Sequence, residues 1–230
     1  MSEKMDFSII IASSVHDLKN SVTMLLNSLD NIVERHQDKD PELGNDISHL
    51  RYEALRVNSN LIQLLALYKI DNDQYALSIV HQNVRDLIVE VLMQSQHLFE
   101  GNGIEVDLDC NEELEWPFDI NLISGVVNDV VTNAIRYCRK HLKISVSVQE
   151  EMLCIRVDDD GEGYPAEMLV SDVDGKRGIS FSSGSTGLGL YFASMAAQAH
   201  KNKDRSGYIS LSNESESGGG RFQLFLPKIF

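Results

Sequence analysis

Three clusters in the second half of the chain carry residue types that can bind a phosphorylated ligand and a divalent cation. Asp129 and Asn133 stand four residues apart, so their oxygen-bearing side chains share one face of a helix. Oxygen atoms are the ligands that Mg²⁺ requires. The runs Asp159-Asp-Gly-Glu-Gly163 and Gly184-Ser-Thr-Gly-Leu-Gly-Leu190 contain glycines, which let the backbone pass close to a ligand. The second run leads into a predicted helix, whose free N–H groups would attract an anion.

A fourth cluster, His16-Asp-Leu-Lys-Asn20, lies near the N-terminus and combines a nucleophile with a carboxylate. A neutral imidazole nitrogen can attack phosphorus, and a neighbouring carboxylate can orient the ring and accept its proton. The remaining histidines lack comparable neighbours and are expected to be surface residues: His36, His49, His81, His97, His141 and His200.

In order and spacing, the three later clusters resemble the N, G1 and G2 boxes of the ATP-binding domain shared by sensor histidine kinases, type II topoisomerases, Hsp90 and MutL. This resemblance covers roughly residues 80 to 230. The His16 cluster resembles the H box of the histidine kinase dimerisation and phosphotransfer domain. Together the two resemblances cover nearly the whole chain and imply a cytoplasmic two-component histidine kinase or a close derivative of one.

The resemblance implies a role for each residue of the N box. Asn133 would ligate the Mg²⁺ that bridges the ATP phosphates, and Asp129 would organise that cation or a water molecule one turn earlier. Arg136 would contact phosphate, and Tyr137 would cover the adenine ring. For Asp129 and Arg136 the alternative is a pair of solvated surface charges.

The two glycine-containing boxes would hold the ends of the nucleotide. By resemblance, Asp159 accepts a hydrogen bond from the adenine amino group, which favours ATP over GTP, while Gly161 and Gly163 let the backbone approach. At the start of the following helix, the residues implied in phosphate binding are Gly184, Gly187, Leu188 and Gly189.

The segment between the boxes would form a lid over the nucleotide. It supplies Lys176 and Arg177 as basic partners for the γ-phosphate, and Phe181 as a candidate F box. The two aspartates that flank Asp159, namely Asp158 and Asp160, are expected to face solvent.

Within the H box, the resemblance makes His16 the phosphoryl acceptor and Asp17 its base. Asn20 occupies the position that orients a water molecule for hydrolysis of the partner's phosphoryl-aspartate. A competing interpretation is that Asn20 only hydrogen-bonds its own helix surface. The next residue is Ser21, where the commonest subfamily of kinases carries a helix-bending proline.

Apolar residues on both sides of a polar turn at residues 37–45 repeat with the heptad spacing of 3 and 4. They are Ile11, Val15, Leu18, Val22, Leu25, Leu29 and Ile32 before the turn, and Ile47, Leu50, Ala54, Val57, Leu61, Leu64 and Tyr68 after it. The pattern predicts an antiparallel helical hairpin. Further apolar residues widen each stripe beyond what one hairpin can bury, so a homodimeric four-helix bundle is expected. The alternative is that the hairpin packs on its own C-terminal domain.

The rest of the chain predicts an α+β sandwich of the GHKL, or Bergerat, type. Helices are expected at 83–99, 117–137 with Asp119 as N-cap, and 188–198. Strands are expected at 104–109, 142–149, 152–158, 208–211 and 221–226. The predicted domains are residues 1–72 for dimerisation and phosphotransfer and residues 78–230 for ATP binding.

Composition narrows the function classes. The net charge of −15 argues against nucleic-acid binding and suggests that a divalent cation screens any bound ATP. Cys110, Cys138 and Cys154 are expected to be free thiols. No stretch reaches the length of about 20 apolar residues that spans a bilayer, so a soluble cytoplasmic protein is expected.

The leading hypothesis is therefore an enzyme that autophosphorylates His16 from Mg-ATP and passes the phosphoryl group to an aspartate of a response-regulator receiver domain. With few residues before His16, the stimulus is expected to enter through a separate sensor protein, unless the sequence is an excised core. The alternative is a phosphotransfer protein that relays phosphoryl groups without using ATP. An ATP-driven clamp like Hsp90 or MutL would not explain the His16 hairpin.

Overall fold

The computed structural model describes residues 7–36, 41–169 and 187–229. The chain divides into two compact units, Met1–Tyr75 and Ala76–Phe230. The first unit contains two long helices, and the second contains the strands and the remaining helices.

The first unit is a hairpin of two long helices, α1 (Phe7–His36) and α2 (Pro41–Asp71), which pack against each other. α1 is continuous through Ser21, whose hydroxyl donates a hydrogen bond of 3.0 Å to the Asp17 carbonyl oxygen. A serine at this position thus keeps its own backbone N–H available to the helix, which a proline could not do.

The apolar heptad residues of the hairpin fall into a buried set and an exposed set. The buried set includes Val15 on α1 and Ile47 and Ala54 on α2. The exposed set repeats every seven residues on each helix, with exposures between 40% and 57%: Leu18, Leu25 and Ile32 on α1, and Leu50, Val57 and Leu64 on α2. One line of each predicted heptad is therefore buried or half-buried within the hairpin, and the other line is a stripe of exposed aliphatic side chains.

The second unit is built on a five-stranded sheet in the order β2-β4-β5-β9-β8. Its strands are β2 (Glu105–Asp109), β4 (His141–Gln149), β5 (Met152–Asp159), β8 (Tyr208–Ser212) and β9 (Arg221–Pro227). β2 and β4 are parallel, and the other neighbours are antiparallel. The predicted mixed, largely antiparallel sheet is confirmed.

Two short strand pairs complete the second unit: β1 (Ile79–Asn83) with β3 (Glu115–Asp119), and β6 (Lys201–Asn202) with β7 (Arg205–Ser206). The helix predicted to begin at Pro117 starts later, because Pro117 lies in β3 opposite His81. Asp119 ends that strand and caps the helix that follows, so the predicted N-cap is confirmed.

The helices of this unit are α3 (Val84–Gln94), α4 (Gln96–Asn102), α5 (Ile120–Tyr137), α6 (Ala166–Leu169) and α7 (Gly187–Ala199). The single helix predicted over 83–99 is wrong, since α3 ends before Ser95. There the Ser95 N–H bonds to the Leu92 carbonyl oxygen three residues back, a tightened last turn, and α4 starts anew. α5 and α7 pack against each other and against the sheet.

His200 is fully buried, which contradicts the expectation that it lies on the surface. Its Nε2 accepts the Asp119 N–H at 3.0 Å, and its Nδ1 lies 2.7 Å from the Ala196 carbonyl oxygen. Burial lowers the pKa of His200, so the ring is neutral and ties the start of α5 to the end of α7. His81, His97 and His141 are exposed, as expected.

All three cysteines are free thiols, as predicted. Among the described helices, none combines the length and the apolar character needed to cross a bilayer.

Candidate functional site

The N-box residues lie along one helix, α5, whose start is fixed by a buried cap. Asp119 Oδ1 accepts the N–H groups of Asn121 and Leu122 at 3.0 and 3.2 Å, and Asp119 Oδ2 accepts that of Ser78 at 2.9 Å. One side of α5 is buried in the domain, through residues that include Val126, Val130 and Ala134. This anchoring holds the opposite side of the helix in a fixed position.

The polar side chains of the N box lie on the side of α5 that is not buried. Asp129 and Asn133 are half-buried one turn apart, whereas Arg136 and Tyr137 are exposed at the end of the helix. The Arg136 guanidinium carbon lies 5.6 Å from the centre of the Tyr137 ring, within cation–π range. The helix therefore presents a carboxylate, an amide, a cation and an aromatic ring in succession.

The loop after β5 packs against the C-terminal end of α5. A Cβ atom on Gly161 would overlap the carbonyl oxygen of Tyr137, so only glycine permits this approach. Asp159 is held in place because its Oδ1 accepts the N–H groups of Gly161 at 2.8 Å and Gly220 at 3.2 Å. Burial raises the pKa of Asp159, and these two N–H groups act in the opposite direction.

The first turn of α7 packs against the middle of α5. A Cβ atom on Gly189 would lie 3.1 Å from Oδ2 of Asp129. Gly187 begins α7, and Leu188 is 36% exposed beside it. The G1 and G2 glycines therefore contact α5 at two points, Tyr137 and Asp129, which are about 12 Å apart along the helix axis.

The second unit is similar to a known family of ATP-binding proteins. The model of the family described as "Histidine kinase-, DNA gyrase B-, and HSP90-like ATPase" matches residues 118–229. The match begins in β3 and includes the N, G1 and G2 boxes, so the predicted resemblance and fold class are confirmed.

The similarity to named proteins extends beyond the ATPase domain. "Sensor histidine kinase MtrB" of Mycolicibacterium paratuberculosis is 28% identical over 221 residues, which are 93% of this chain and 38% of the relative. "Sensor protein SrrB" of Staphylococcus aureus is 23% identical over 239 residues, covering 98% of this chain and 38% of the relative. The chain thus spans about two fifths of the length of these relatives.

A solved structure of the histidine kinase AdeS of Acinetobacter baumannii has the same fold. The two chains superimpose with a TM-score of 0.62 at 22% identity, over 93% of this chain and 98% of the other. The likeness therefore includes the helical hairpin as well as the ATPase domain.

Sequence reasoning missed a glycine-rich loop between β8 and β9 that supports the G1 box of the ATPase domain. The Ser215 hydroxyl donates to the Asp159 carbonyl oxygen at 2.9 Å, and the Gly220 N–H reaches the Asp159 carboxylate. A Cβ atom on Gly219 would overlap the Asp159 carbonyl oxygen. The run of three glycines at 218–220 was the available signal, because such a run permits close backbone contact.

Asp158 does not face solvent, in contrast to the prediction. It is only 2% exposed and pairs with Nε of Arg221 at 2.6 Å and Nε of Arg156 at 3.2 Å. Because side chains alternate along a strand, Asp158 lies on the face of β5 opposite Asp159. The ion pair with Arg221 joins β5 to β9 behind the site.

Asp160 is half-buried, and it also has a structural role. Its carboxylate accepts the N–H groups of Arg139 at 2.7 Å and Lys140 at 3.1 Å. Burial opposes ionisation, but the N–H groups of Lys140, Arg139 and His141 outweigh it and hold the pKa of Asp160 below its usual value. The two flanking aspartates thus fix the backbone on either side of Asp159.

The H-box residues lie on α1 in the other unit. Asp17 and Asn20 have exposed side chains, and His16 lies within the same continuous helix. The predicted lid residues Lys176, Arg177 and Phe181, together with Gly184, lie outside the described residues.

The residues on α5 fit a magnesium-bound nucleotide. Asn133 and Asp129 offer oxygen atoms one turn apart, next to the first turn of α7. Within the described part of the chain, no group of three or more His, Cys, Asp or Glu side chains converges as a metal site. A cation here would complete its shell with phosphate oxygens and water, as Mg²⁺ commonly does.

A separate apolar cavity of about 590 Å³ lies between α3, α4 and β2. It is lined mainly by aliphatic and aromatic side chains, among them Leu92, Met93, Phe99 and Val106. The cavity shares no residue with the N, G1 or G2 boxes.

Proposed function

We propose that this chain is the core of a protein-histidine kinase, which autophosphorylates His16 from Mg-ATP and passes the phosphoryl group to an aspartate of a response-regulator receiver domain. The observation that carries the proposal is the contact of Gly161 and Gly189 with the two ends of the N box on α5. Sequence clusters that lie far apart in the chain come together there in an ATPase domain. The His16 cluster on α1 supplies the acceptor.

In this proposal the purine and the phosphates occupy opposite ends of the α5 face. Asp159 accepts the hydrogen bond of the adenine amino group, and Tyr137 covers the base. Gly187, Leu188 and Gly189 bind phosphate through N–H groups at the start of α7, where the helix dipole favours an anion. Asn133 and Asp129 would hold Mg²⁺, which would supply positive charge against the phosphates. Arg136 would contact a phosphate oxygen.

The chemical step is an in-line displacement. A ring nitrogen of His16 forms a bond to the γ-phosphorus as the bond to the β–γ bridging oxygen breaks, and ADP leaves. Asp17 holds the ring and accepts its proton. The phosphoryl group then passes from the ring nitrogen to a carboxylate oxygen of the receiver aspartate. Asp17 returns its proton to the ring, which regenerates neutral His16.

The relay alternative has less support. A phosphotransfer protein that does not use ATP has no need to place a half-buried carboxylate, close glycine contacts and an anion-binding helix start on one face. Because these features occur together in an ATPase domain, they favour the kinase. We place its activity in the cytoplasm, where ATP is available.

The test is incubation of the full chain with γ-labelled ATP and Mg²⁺. We expect a label that is stable in base and lost in acid, which is the behaviour of phosphohistidine. A label that survives acid would mean that the protein phosphorylates a hydroxyl group. The relay would be supported instead if the chain takes no label from ATP but transfers phosphoryl groups from a second phosphohistidine protein to a purified receiver domain.

We further propose that the chain acts as a homodimer, because of the exposed stripes on α1 and α2. Leu18, Leu25 and Leu50 are each more than half exposed in one hairpin. Burying a large aliphatic side chain contributes about 1.5–3 kcal/mol, so covering the stripes would stabilise a four-helix bundle substantially.

Leu25→Asp is expected to convert the dimer into a monomer that still melts cooperatively. Leu25 is 51% exposed in the single chain, so the carboxylate is tolerated there, but at the dimer interface it would be buried without a partner. The matched control is Asn27→Asp, about 200° round the helix from Leu25. Light scattering of the wild type and both variants checks this, and a monomeric wild type would contradict the dimer.

Asn20→Ala is expected to slow hydrolysis of the phosphorylated receiver while autophosphorylation of His16 and forward transfer continue. The exposed Asn20 lies one turn from His16, so a receiver docked for transfer presents its aspartate to both residues. Positioning one water molecule in line can account for a loss of about tenfold or more. The loss of labelled phosphate from the receiver is measured over time. Equal rates with wild type and variant would favour the view that Asn20 only bonds its own helix.

A further inference from the structure

Tyr164, directly after the G1 box, is placed next to Asp159 in a way that the sequence did not predict. Burial raises the pKa of the Tyr164 phenol, and the negative charge of Asp159 acts in the same direction. The side chain therefore stays neutral, and it lies within the electrostatic range of the carboxylate proposed to recognise the base.

The backbone of Tyr164 is held at two points by one side chain. Asn213 Oδ1 accepts the Tyr164 N–H at 2.7 Å, and Asn213 Nδ2 donates to the Tyr164 carbonyl oxygen at 2.9 Å. Gly163 makes room for this contact, since a Cβ atom on it would lie 2.7 Å from Cγ of Asn213. Asn213 thus bonds the main chain as a neighbouring strand would, and it fixes the direction in which the Tyr164 ring leaves the backbone.

The ring and the carboxylate converge on Gly220. A Cβ atom on Gly220 would lie 2.8 Å from Oδ2 of Asp159 and 3.0 Å from Cε2 of Tyr164. The ring edge and Oδ2 therefore both border the space that a side chain at position 220 would fill. The other carboxylate oxygen, Oδ1, already accepts the two N–H groups of Gly161 and Gly220. Oδ2 is accordingly the oxygen placed to meet a base.

We propose that the Tyr164 ring is a specificity-determining wall of the nucleotide site, which shields Oδ2 of Asp159 from water and so enforces a preference for a purine with an amino group at position 6. This proposal rests on the proposed function of the site and names how it selects its nucleotide. A hydrogen bond that competes with water discriminates weakly, whereas a desolvated acceptor rejects a ligand that cannot donate to it. A 6-oxo purine presents a carbonyl oxygen where Asp159 requires a donor.

The test compares the affinities of the full chain for Mg-ATP and Mg-ITP by calorimetry. Tyr164→Ala is expected to weaken ATP binding by about tenfold and to change ITP binding by less than about twofold, so that most of the preference is lost. Tyr164→Phe keeps the ring and should restore the preference that Tyr164→Ala removes. The matched control is Tyr208→Ala, which removes a tyrosine that stacks on Phe225 on the sheet.

The ratio of the two affinities separates a specificity role from a structural one. If Tyr164→Ala leaves the ratio of the ATP and ITP affinities unchanged, as it would if both weakened equally, the proposal is wrong. Tyr164→Leu replaces Tyr164→Ala if circular dichroism shows that the alanine variant does not fold, and the same ratio decides. If the wild type prefers ATP and Tyr164→Ala keeps this preference, only the inference about Tyr164 is overturned. If the wild type binds neither nucleotide, the proposed function is overturned as well.

Discussion

Replacement of His16 by glutamine is expected to reduce incorporation of label from γ-labelled ATP to background, while the affinity for ATP stays within about twofold of wild type. Glutamine approximates the size of histidine, but its amide nitrogen is not a nucleophile, so no bond to phosphorus can form. His16 lies on α1 in the first unit, and the residues proposed to bind ATP lie in the second, so binding should not depend on it. Label incorporation and calorimetry on the same preparation measure the two quantities.

The matched control for this variant is His81→Gln. His81 is an exposed histidine in β1, and its replacement should leave both quantities unchanged. Label that persists in His16→Gln would assign the acceptor to another residue. Loss of ATP binding together with the label would mean that His16 has a structural role.

Asp159→Ala is expected to abolish labelling by removing nucleotide binding, and Asn133→Ala by removing the oxygen ligand of the cation. In Asp159→Ala, the N–H groups of Gly161 and Gly220 also lose their acceptor, so the loop of the G1 box loses its internal support. We expect losses of about 100-fold or more in the labelling rate for each variant. Neither residue lies in the heptads, so the oligomeric state in light scattering should match that of the wild type.

The matched control here is Asp107→Ala, which removes an exposed aspartate from the edge strand β2 of the same domain. It should label at the rate of the wild type. If Asp159→Ala and Asn133→Ala also label at that rate, the proposed ATP site is in the wrong place. A melting curve for each variant distinguishes a lost site from a lost fold.

Periodicity predicted the long elements of this fold well. The 3-and-4 spacing gave both hairpin helices, and the alternation over residues 104–109 gave β2, because these patterns reflect which side of an element is buried. The cap at Asp119 followed from local chemistry, since an aspartate before an apolar run can accept the first free N–H groups.

Features that depend on residues distant in the chain were not predictable in the same way. Asp158 was predicted to face solvent, but in the fold it pairs with Arg221 of β9. His200 was predicted to lie on the surface, but it is buried and accepts the Asp119 N–H of β3. The strands β1 and β3 are only five residues each, and their pairing joins segments more than 30 residues apart. Tertiary contacts decided each of these cases.

The candidate site shows the same division. The glycines of the G1 and G2 boxes were identifiable from sequence, because their types and spacing suggest close backbone contacts. The three glycines of the supporting loop with Ser215 and Gly220 suggest close contacts too. Its partner could not be read from sequence, because it depends on the antiparallel pairing of β8 with β9 and of β9 with β5. Sequence therefore identified the N, G1 and G2 residues proposed to meet the ligand, and the structure added Tyr164 and the residues that hold Asp159 in place.

The measurement that tests the central claim most directly is the location of the phosphoryl group on the protein. Wild-type protein is incubated with Mg-ATP, digested at alkaline pH to preserve phosphohistidine, and analysed by tandem mass spectrometry. We expect one phosphorylated peptide, with the added mass on His16, and none in the His16→Gln variant. A phosphoryl group on a serine, a threonine or another histidine, or one that remains in His16→Gln, would contradict it.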